Sequence, residues 1–176
     1  MAVLVVAGVA FVAARLQHFA GIEISGPVRV VDGDSLAIGN RRLRLLGIDA
    51  PELRQRCQRD GADYECGVEA ASHLRALIGG EPVTCKGEGL DRYGRDLVRC
   101  MAGTTDLNEM MVRSGHAIAF GDYRLAETAA RLEKAGLWAG EFQPPKQWRA
   151  VHGGLSEDIH AGLSAVTAFL RRLFGV

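Results

Sequence analysis

Four acidic side chains flank a short predicted hairpin. Asp32 and Asp34 stand near its start, and Asp49 and Glu52 follow its end. The hairpin is indicated by alternating apolar and polar residues before Gly39-Asn40, a step typical of a tight turn, and by a short apolar run after it. This turn brings the two acidic groups toward one end of the sheet. Converging carboxylates repel one another unless a cation lies among them, and a hard divalent cation is the usual partner. The sequence therefore predicts a metal site at this end of the sheet.

Three segments of the chain together resemble the staphylococcal nuclease (thermonuclease-like) family: 31–35 (VDGDS), 43–52 (LRLLGIDAPE) and 91–95 (DRYGR). The similarity extends from about residue 27 to 138, with weaker likeness to 148. The resemblance implies an OB-type barrel and a Ca²⁺-dependent nuclease that releases the 5′ oxygen and leaves 3′-phosphate products. Little in the sequence indicates base-edge recognition, so we expect weak sequence preference on DNA, preferably single-stranded or loosened, and on RNA.

Glu52 is the predicted general base of this reaction. Its carboxylate follows Pro51, which stiffens the backbone, and a nearby cation with several arginines keeps it ionised at neutral pH. Arg44 and Arg95 are the predicted phosphate-binding residues, because a guanidinium is always charged and donates two parallel hydrogen bonds to phosphate oxygens. Arg44 lies inside an apolar strand, where burial without an anionic partner is costly, and this favours a functional role.

Asp34 and Asp49 are the predicted Ca²⁺ ligands, with the backbone carbonyl of Ala50 as a third. A small set of protein ligands leaves positions for water and a phosphate oxygen, which suits a Lewis acid. Members of the resembled family often carry threonine at the position of Ala50, so any hydrogen bond from that hydroxyl is lost here. Asp32 is predicted to support the site by capping its own backbone in the Asp-Gly-Asp turn.

Tyr93 and Tyr123 are candidates for hydrogen bonding to, or stacking on, the nucleotide, and ordinary half-buried packing fits each ring equally well. No histidine is placed for catalysis. Surface or packing positions are expected for all five histidines: His18, His73, His116, His152 and His160.

The chain carries no net charge, because 21 Lys and Arg residues balance 21 Asp and Glu residues. It therefore lacks the basic signature of a nucleic-acid-binding protein. Arginines nevertheless crowd the predicted site, at positions 41, 42, 44, 54, 56 and 59, which predicts a local positive patch with nucleic acid as partner. The alternative function is a catalytically weak or inactive nucleic-acid-binding module of the same fold, favoured only by Ala50 and the neutral charge.

The first fourteen residues carry no charge and precede Arg15. This run is too short to span a bilayer alone but fits a signal-peptide core or a truncated anchor. We therefore expect residues 1–26 to be a targeting or membrane-anchor segment with a linker, and the protein to be exported (periplasmic or secreted) or anchored facing outside. The alternative is an N-terminal helix of a cytosolic protein. No obligate protein partner is evident from the sequence.

Four cysteines allow three pairings when all are bonded. A Cys57–Cys66 bond would close a loop, whereas Cys85 and Cys100 face each other on two predicted antiparallel strands within bonding reach. These are the two predicted disulfides, and they agree with export from the cytosol. Four reduced, buried thiols in a cytosolic protein are the alternative.

The predicted fold is α+β and mainly β, a five-stranded OB-fold barrel with about three helices over residues 27–149. Strands are expected near 28–31, 35–38, 42–48, 83–85 and 97–101, and helices near 67–78, 105–113 and 123–135. The last of these helices has Leu125, Ala129 and Leu132 on one stripe. Residues 53–64 are expected to form an exposed loop. Residues 150–176 are predicted to form a C-terminal tail with an amphipathic helix, by default packed on the domain.

Overall fold

The computed structural model describes residues 23–152, so the apolar N-terminal segment and the predicted C-terminal amphipathic helix lie outside the described residues. The strands are β1 (Glu23–Ser25), β2 (Val28–Val30), β3 (Ser35–Ile38), β4 (Arg41–Leu45), β5 (Ile48–Asp49), β6 (Cys57–Arg59), β7 (Ala62–Tyr64), β8 (Val83–Leu90), β9 (Asp96–Ala102), β10 (Thr105–Asp106) and β11 (Ile118–Ala119). The helices are α1 (Cys66–Ile78), α2 (Leu107–Arg113), α3 (Arg124–Leu132) and α4 (Pro145–His152), with a short 3-10 helix at Gly136–Ala139. None of the helices between residues 23 and 152 is long and apolar enough to cross a membrane.

One curled sheet carries the fold, with the strand order β1-β8-β9-β4-β3-β2 and β10 paired to β9. Its pairs are antiparallel except β4 with β9, and β5 pairs separately with β11. The predicted turn joins β3 to β4 at Gly39, whose φ of 56° lies in the left-handed region that suits glycine. This mixed sheet with its helices confirms the predicted α+β, mainly β, OB-like class.

The sheet begins earlier in the chain than the sequence predicts. Residues 1–26 are expected to be a targeting or anchor segment with a linker, but β1 lies within this range, pairs with β8 and places Ile24 opposite Cys85 in the core. Glu23–Ser25 does alternate in burial, but three residues are too few to distinguish this alternation from chance, and the strand forms where β8 provides an edge for pairing. The loop expected at 53–64 likewise contains a hairpin, formed by β6 and β7.

Helix α3 buries small residues rather than its leucines. Ala126 and Ala130 are buried, whereas Leu125 and Leu132 are 88% and 81% exposed, so the predicted leucine stripe was wrong. Alanines four residues apart let a helix backbone approach its neighbour closely, and the leucines then lie on the solvent side.

Both predicted disulfides are present. Cys85 and Cys100 are direct cross-strand partners in β8 and β9, and their bond lies in the main core. The Cys57–Cys66 bond joins β6 to the first residue of α1 and lies in a second apolar cluster with Leu137. This second bond ties the segment that follows Glu52 to the helix behind it.

Candidate active site

The two aspartates predicted to bind metal converge on one arginine. Asp34 precedes β3, Asp49 ends β5, and Arg44 lies between them on β4. Arg44 donates from Nη1 to Oδ1 of Asp34 over 2.7 Å and from Nη2 to Oδ1 of Asp49 over 2.8 Å. Both aspartates are almost completely buried, at 3% and 2% exposure. The guanidinium is therefore held in a fixed orientation by two carboxylates that have little contact with water.

Local hydrogen bonds fix Asp34 in the turn before β3. Its Oδ2 accepts from the amide of Ala50 over 2.9 Å, and its Oδ1 accepts from the hydroxyl of Ser35 over 3.1 Å. Its own amide donates to Oδ1 of Asp32 over 3.0 Å, the supporting contact predicted for that residue. Gly33 makes this packing feasible, because a Cβ there would lie 2.7 Å from the Cβ of Ala50.

The acidic cluster favours an additional cation. Burial raises the pKa of Asp34 above its usual value, and the Asp32 and Asp49 carboxylates raise it further, whereas the Arg44 guanidinium and the Ala50 amide lower it. A hard divalent ion would relieve this excess of buried negative charge, and carboxylate and carbonyl oxygens are the donors that Ca²⁺ accepts. No three His, Cys, Asp or Glu side chains form a metal site by themselves within residues 23–152. Carboxylate and carbonyl oxygens of the kind that Asp34, Asp49 and Ala50 carry would suit such an ion, and this ligand set stays a prediction.

The backbone around Glu52 is held by a short network. The Glu52 carbonyl accepts from the amide of Gln55 over 2.7 Å, and the buried Gln55 side chain donates from Nε2 to the carbonyl of Gln143 over 2.7 Å. Helix α1 starts directly against this turn, since a Cβ on Gly67 would lie 1.8 Å from the Glu52 carbonyl oxygen. The predicted general base therefore projects from a rigid support.

Arg149 of α4 reaches the same carboxylates, and the sequence prediction missed it. Its Nη1 donates to Oε1 of Glu52 over 2.7 Å, and its Nη2 donates to both carboxylate oxygens of Asp49 over 3.0 and 3.2 Å. The helices predicted for the domain end at residue 135, so no helix is expected at this position. Pro145 instead occupies the first position of α4, where proline is favoured, and this was the signal that a further helix follows.

Arg95 lies in the turn between β8 and β9. Its Nε donates to Oδ2 of Asp91 over 2.7 Å, and the other oxygen of Asp91 accepts from the amides of Tyr93 and Arg95. The guanidinium carbon lies 5.5 Å from the centroid of the Tyr93 ring. The side chain of Arg95 is thus paired with Asp91 of its own turn. The parallel register of β4 and β9 sets Arg44 beside Leu97, so Arg95 lies near that part of the sheet.

Tyr123 packs against the turn that leads into β5. Its hydroxyl accepts from Nη1 of Arg99 over 2.8 Å, and Arg99 also pairs with Glu88 and Asp122. A Cβ on Gly47 would lie 3.1 Å from Cε2 of the ring. Tyr123 thus supports the chain that carries Asp49. The nucleotide contacts of Tyr93 and Tyr123 stay predictions.

Two histidines form a packed pair away from the acidic cluster. The rings of His73 and His116 stack with their centroids 3.9 Å apart, and Nε2 of His116 lies 3.5 Å from a carboxylate oxygen of Glu69. Nδ1 of His116 lies 3.0 Å from the hydroxyl of Ser114. Burial and the neighbouring His73 lower the pKa of His116 from 6.5 to about 4, although Glu69 opposes the change.

We expect this pair to make the fold acid-sensitive. The unfolded chain protonates His116 below about pH 6.5, whereas the folded chain does so only near pH 4, so the unfolded state binds more protons between these values. Stability from this site should therefore fall by about 3 kcal/mol as pH drops through this range. Urea unfolding at pH 7 and 4.5 measures the change. His116→Phe should reduce the pH dependence, and the exposed His152→Phe should not; equal slopes in both variants would contradict the assignment.

Comparison with known proteins gives a family match and several relatives. Residues 42–140 match the family described as "Staphylococcal nuclease homologue". The succinoglycan biosynthesis protein ExoI of Rhizobium meliloti (strain 1021) is 37% identical over 144 residues, which cover 76% of this chain and 75% of that protein. An uncharacterized endonuclease of Escherichia coli O157:H7 is 34% identical over 134 residues, 69% of this chain and 82% of that protein.

A plant relative shares a shorter part of its length. The probable staphylococcal-like nuclease CAN2 of Oryza sativa subsp. japonica is 32% identical over 132 residues, which cover 71% of this chain and 33% of that protein. The family match includes Arg44, Asp49, Glu52 and Arg95, whereas Arg149 lies beyond it. The chain belongs to the staphylococcal nuclease family and is a hydrolase of the nuclease class.

Proposed function

We propose that this protein is a Ca²⁺-dependent nuclease that cleaves DNA, preferably single-stranded or loosened, and RNA, with little sequence preference and with 3′-phosphate products. One observation carries the proposal. Two buried aspartates orient Arg44, and Arg149 joins one of them to Glu52, so the residues proposed as base, phosphate-binding guanidinium and cation ligands are linked by hydrogen bonds. Hydrolysis of a phosphodiester needs these three groups at one place.

Each residue has a defined part in this reaction. Glu52 accepts a proton from the attacking water, whose oxygen bonds to phosphorus while the bond to the 5′ oxygen breaks, and the released 5′ oxygen takes up a proton from solvent. Arg44 stabilises the negative charge that builds on the equatorial oxygens, since its contacts with the two aspartates leave further N–H donors of the guanidinium for phosphate. Arg95, held by Asp91, supplies a second guanidinium from the neighbouring turn.

Asp34, Asp49 and the Ala50 carbonyl would hold the cation. When bound, Ca²⁺ supplies Lewis-acid polarisation of a phosphate oxygen and a template for the attacking water. The rigid turn around Asp34 supports this assignment, because the carboxylate is already oriented by hydrogen bonds from Ser35 and Ala50.

The second candidate function is a nucleic-acid-binding module without turnover. The observation in its favour is the ion pair between Arg149 and Glu52, which engages the proposed base. A binder of this kind would hold nucleic acid through the same arginines and would not hydrolyse it.

We also propose export from the cytosol, or anchoring on the outer side of a membrane. The two disulfides support this location, because such bonds form and persist in oxidising compartments.

Hydrolysis of heat-denatured DNA with added Ca²⁺, compared with the same reaction in excess chelator, tests the nuclease proposal. Lewis-acid assistance contributes several kcal/mol to such reactions, so we expect the chelator to slow cleavage about a thousandfold. Restoring free Ca²⁺ should restore the rate, and the new ends should carry 3′-phosphates. Cleavage that is unaffected by the chelator would exclude the proposed cofactor, and tight binding without cleavage would favour the binding module.

A further inference from the structure

Helix α4 places a cation against the proposed base and a proposed metal ligand at once. One guanidinium group of Arg149 contacts Glu52 through Nη1 and both oxygens of Asp49 through Nη2. The Arg149 side chain is 31% exposed, so these contacts are partly shielded from solvent. The guanidinium is therefore held by several charge-assisted hydrogen bonds at once, whereas an isolated surface ion pair contributes little.

The occupied oxygens are the ones that the reaction uses. Oδ1 of Asp49 already accepts from Arg44, and Arg149 adds donors to both Oδ1 and Oδ2. A divalent ion on Asp49 would have to approach oxygens that Arg149 contacts, and the two positive charges repel each other. Oε1 of Glu52 also accepts from Arg149, so an attacking water meets a donor already in place at that oxygen.

The attachment of α4 allows this contact to be released. The helix is fixed where it starts, because Gln55 donates to the carbonyl of Gln143 just before it and Pro145 is buried. The remaining residues of α4 are partly or fully exposed, with Val151 70% exposed. Little packing therefore opposes withdrawal of Arg149 while the start of the helix stays in place.

We infer that Arg149 acts as an internal cation that competes with Ca²⁺ for Asp49 and with the attacking water for Glu52. The inference rests on the proposed function, since it concerns the same metal and the same base. In the resting enzyme α4 covers the acidic cluster, and binding of Ca²⁺ displaces the Arg149 side chain. Arg149 is then a regulatory residue that sets the Ca²⁺ concentration at which the enzyme becomes active.

Calorimetric titration of Ca²⁺ into the full chain, without nucleic acid, tests this competition. Removal of the competing charge in Arg149→Gln should tighten Ca²⁺ binding about tenfold, an effect typical of coupling between two bound groups. Arg149→Lys keeps the charge but cannot bridge both carboxylates with a planar fork. The Ca²⁺ affinity of this variant should therefore lie between those of wild type and Arg149→Gln. Lys146→Gln is the matched control, because it removes the same charge from an exposed position of α4, and its affinity should stay within about twofold of wild type.

The outcomes separate this inference from the proposed function. Equal or weaker Ca²⁺ binding by Arg149→Gln, relative to Lys146→Gln, would overturn the competition and make Arg149 a residue that positions the ligands. Absence of Ca²⁺ binding in every variant would overturn the proposed cofactor itself. Far-UV circular dichroism of each variant, at the temperature of the titration, checks that it is folded. If Arg149→Gln is unfolded, Arg149→Lys is compared with Lys146→Gln instead.

Discussion

Replacement of Glu52 by glutamine is expected to slow hydrolysis of denatured DNA about a thousandfold while leaving nucleic-acid affinity nearly unchanged. A positioned general base contributes about 10²- to 10⁴-fold to such reactions, and an amide cannot take the proton from water. The substitution preserves the shape of the side chain, and its amide oxygen can still accept from Nη1 of Arg149. Single-turnover cleavage of a labelled oligonucleotide at saturating Ca²⁺, beside a binding assay with the same strand, measures both quantities.

Glu81→Gln is the matched control for this experiment. Glu81 is exposed just after α1, and its replacement makes the same change of charge outside the acidic cluster. Its rate should equal that of wild type, since exposed substitutions of this kind have small effects. A Glu52→Gln protein that cleaves as fast as this control would place the base elsewhere, and the proposed mechanism would have to be abandoned.

The local parts of the site could be predicted because they lie close together in sequence. Asp34, Arg44 and Asp49 fall within one strand-turn-strand unit, and an arginine inside an apolar run indicates a buried ionic partner. The structure supplies two such partners for that arginine. The Cys85–Cys100 bond follows from the same kind of reasoning, because paired antiparallel strands fix which residues are opposite.

The parts that depend on distant contacts could not be predicted in this way. Arg149 is 97 residues from Glu52 and 100 from Asp49, and no periodicity within α4 indicates what its arginine will meet. Ile24 lies in a strand of three residues, too few for their alternation to predict a strand, so its pairing is decided by β8. In each case a tertiary neighbour determines the outcome, and local pattern carries little information about it.

Helix α3 shows the same limit for side-chain burial. Periodicity correctly predicts a helix there, but it cannot decide between a face of leucines and a face of alanines when both repeat at helical spacing. Close packing against a neighbouring element selects Ala126 and Ala130, and Leu125 is left exposed. Hydrophobicity alone therefore assigns the wrong face when the helix must approach its neighbour closely.

Replacement of Arg44 by alanine should produce the second large effect, with turnover reduced about a thousandfold or more and binding weakened far less. Loss of a preorganised donor to the developing charge costs about 10²- to 10³-fold, and misplacement of two aspartates adds to it. Arg44→Lys should also be slow, because an ammonium cannot bridge Asp34 and Asp49 and still contact phosphate through a planar fork. Turnover and affinity are to be measured separately on the same substrate.

Stability must be followed in the same experiment, because Arg44 also neutralises buried charge. Its removal leaves Asp34 without its guanidinium partner and leaves Asp49 with Arg149 alone, and loss of one member of a buried ion pair costs about 3–5 kcal/mol. Saturating Ca²⁺ should recover part of this loss, since the ion binds the folded state at the same carboxylates. Arg29→Ala, an exposed change on β2, should leave both turnover and stability near wild type. Turnover that survives in folded, Ca²⁺-saturated Arg44→Ala would show that this guanidinium serves only to balance the buried aspartates, and the phosphate-binding role would then fall to Arg95.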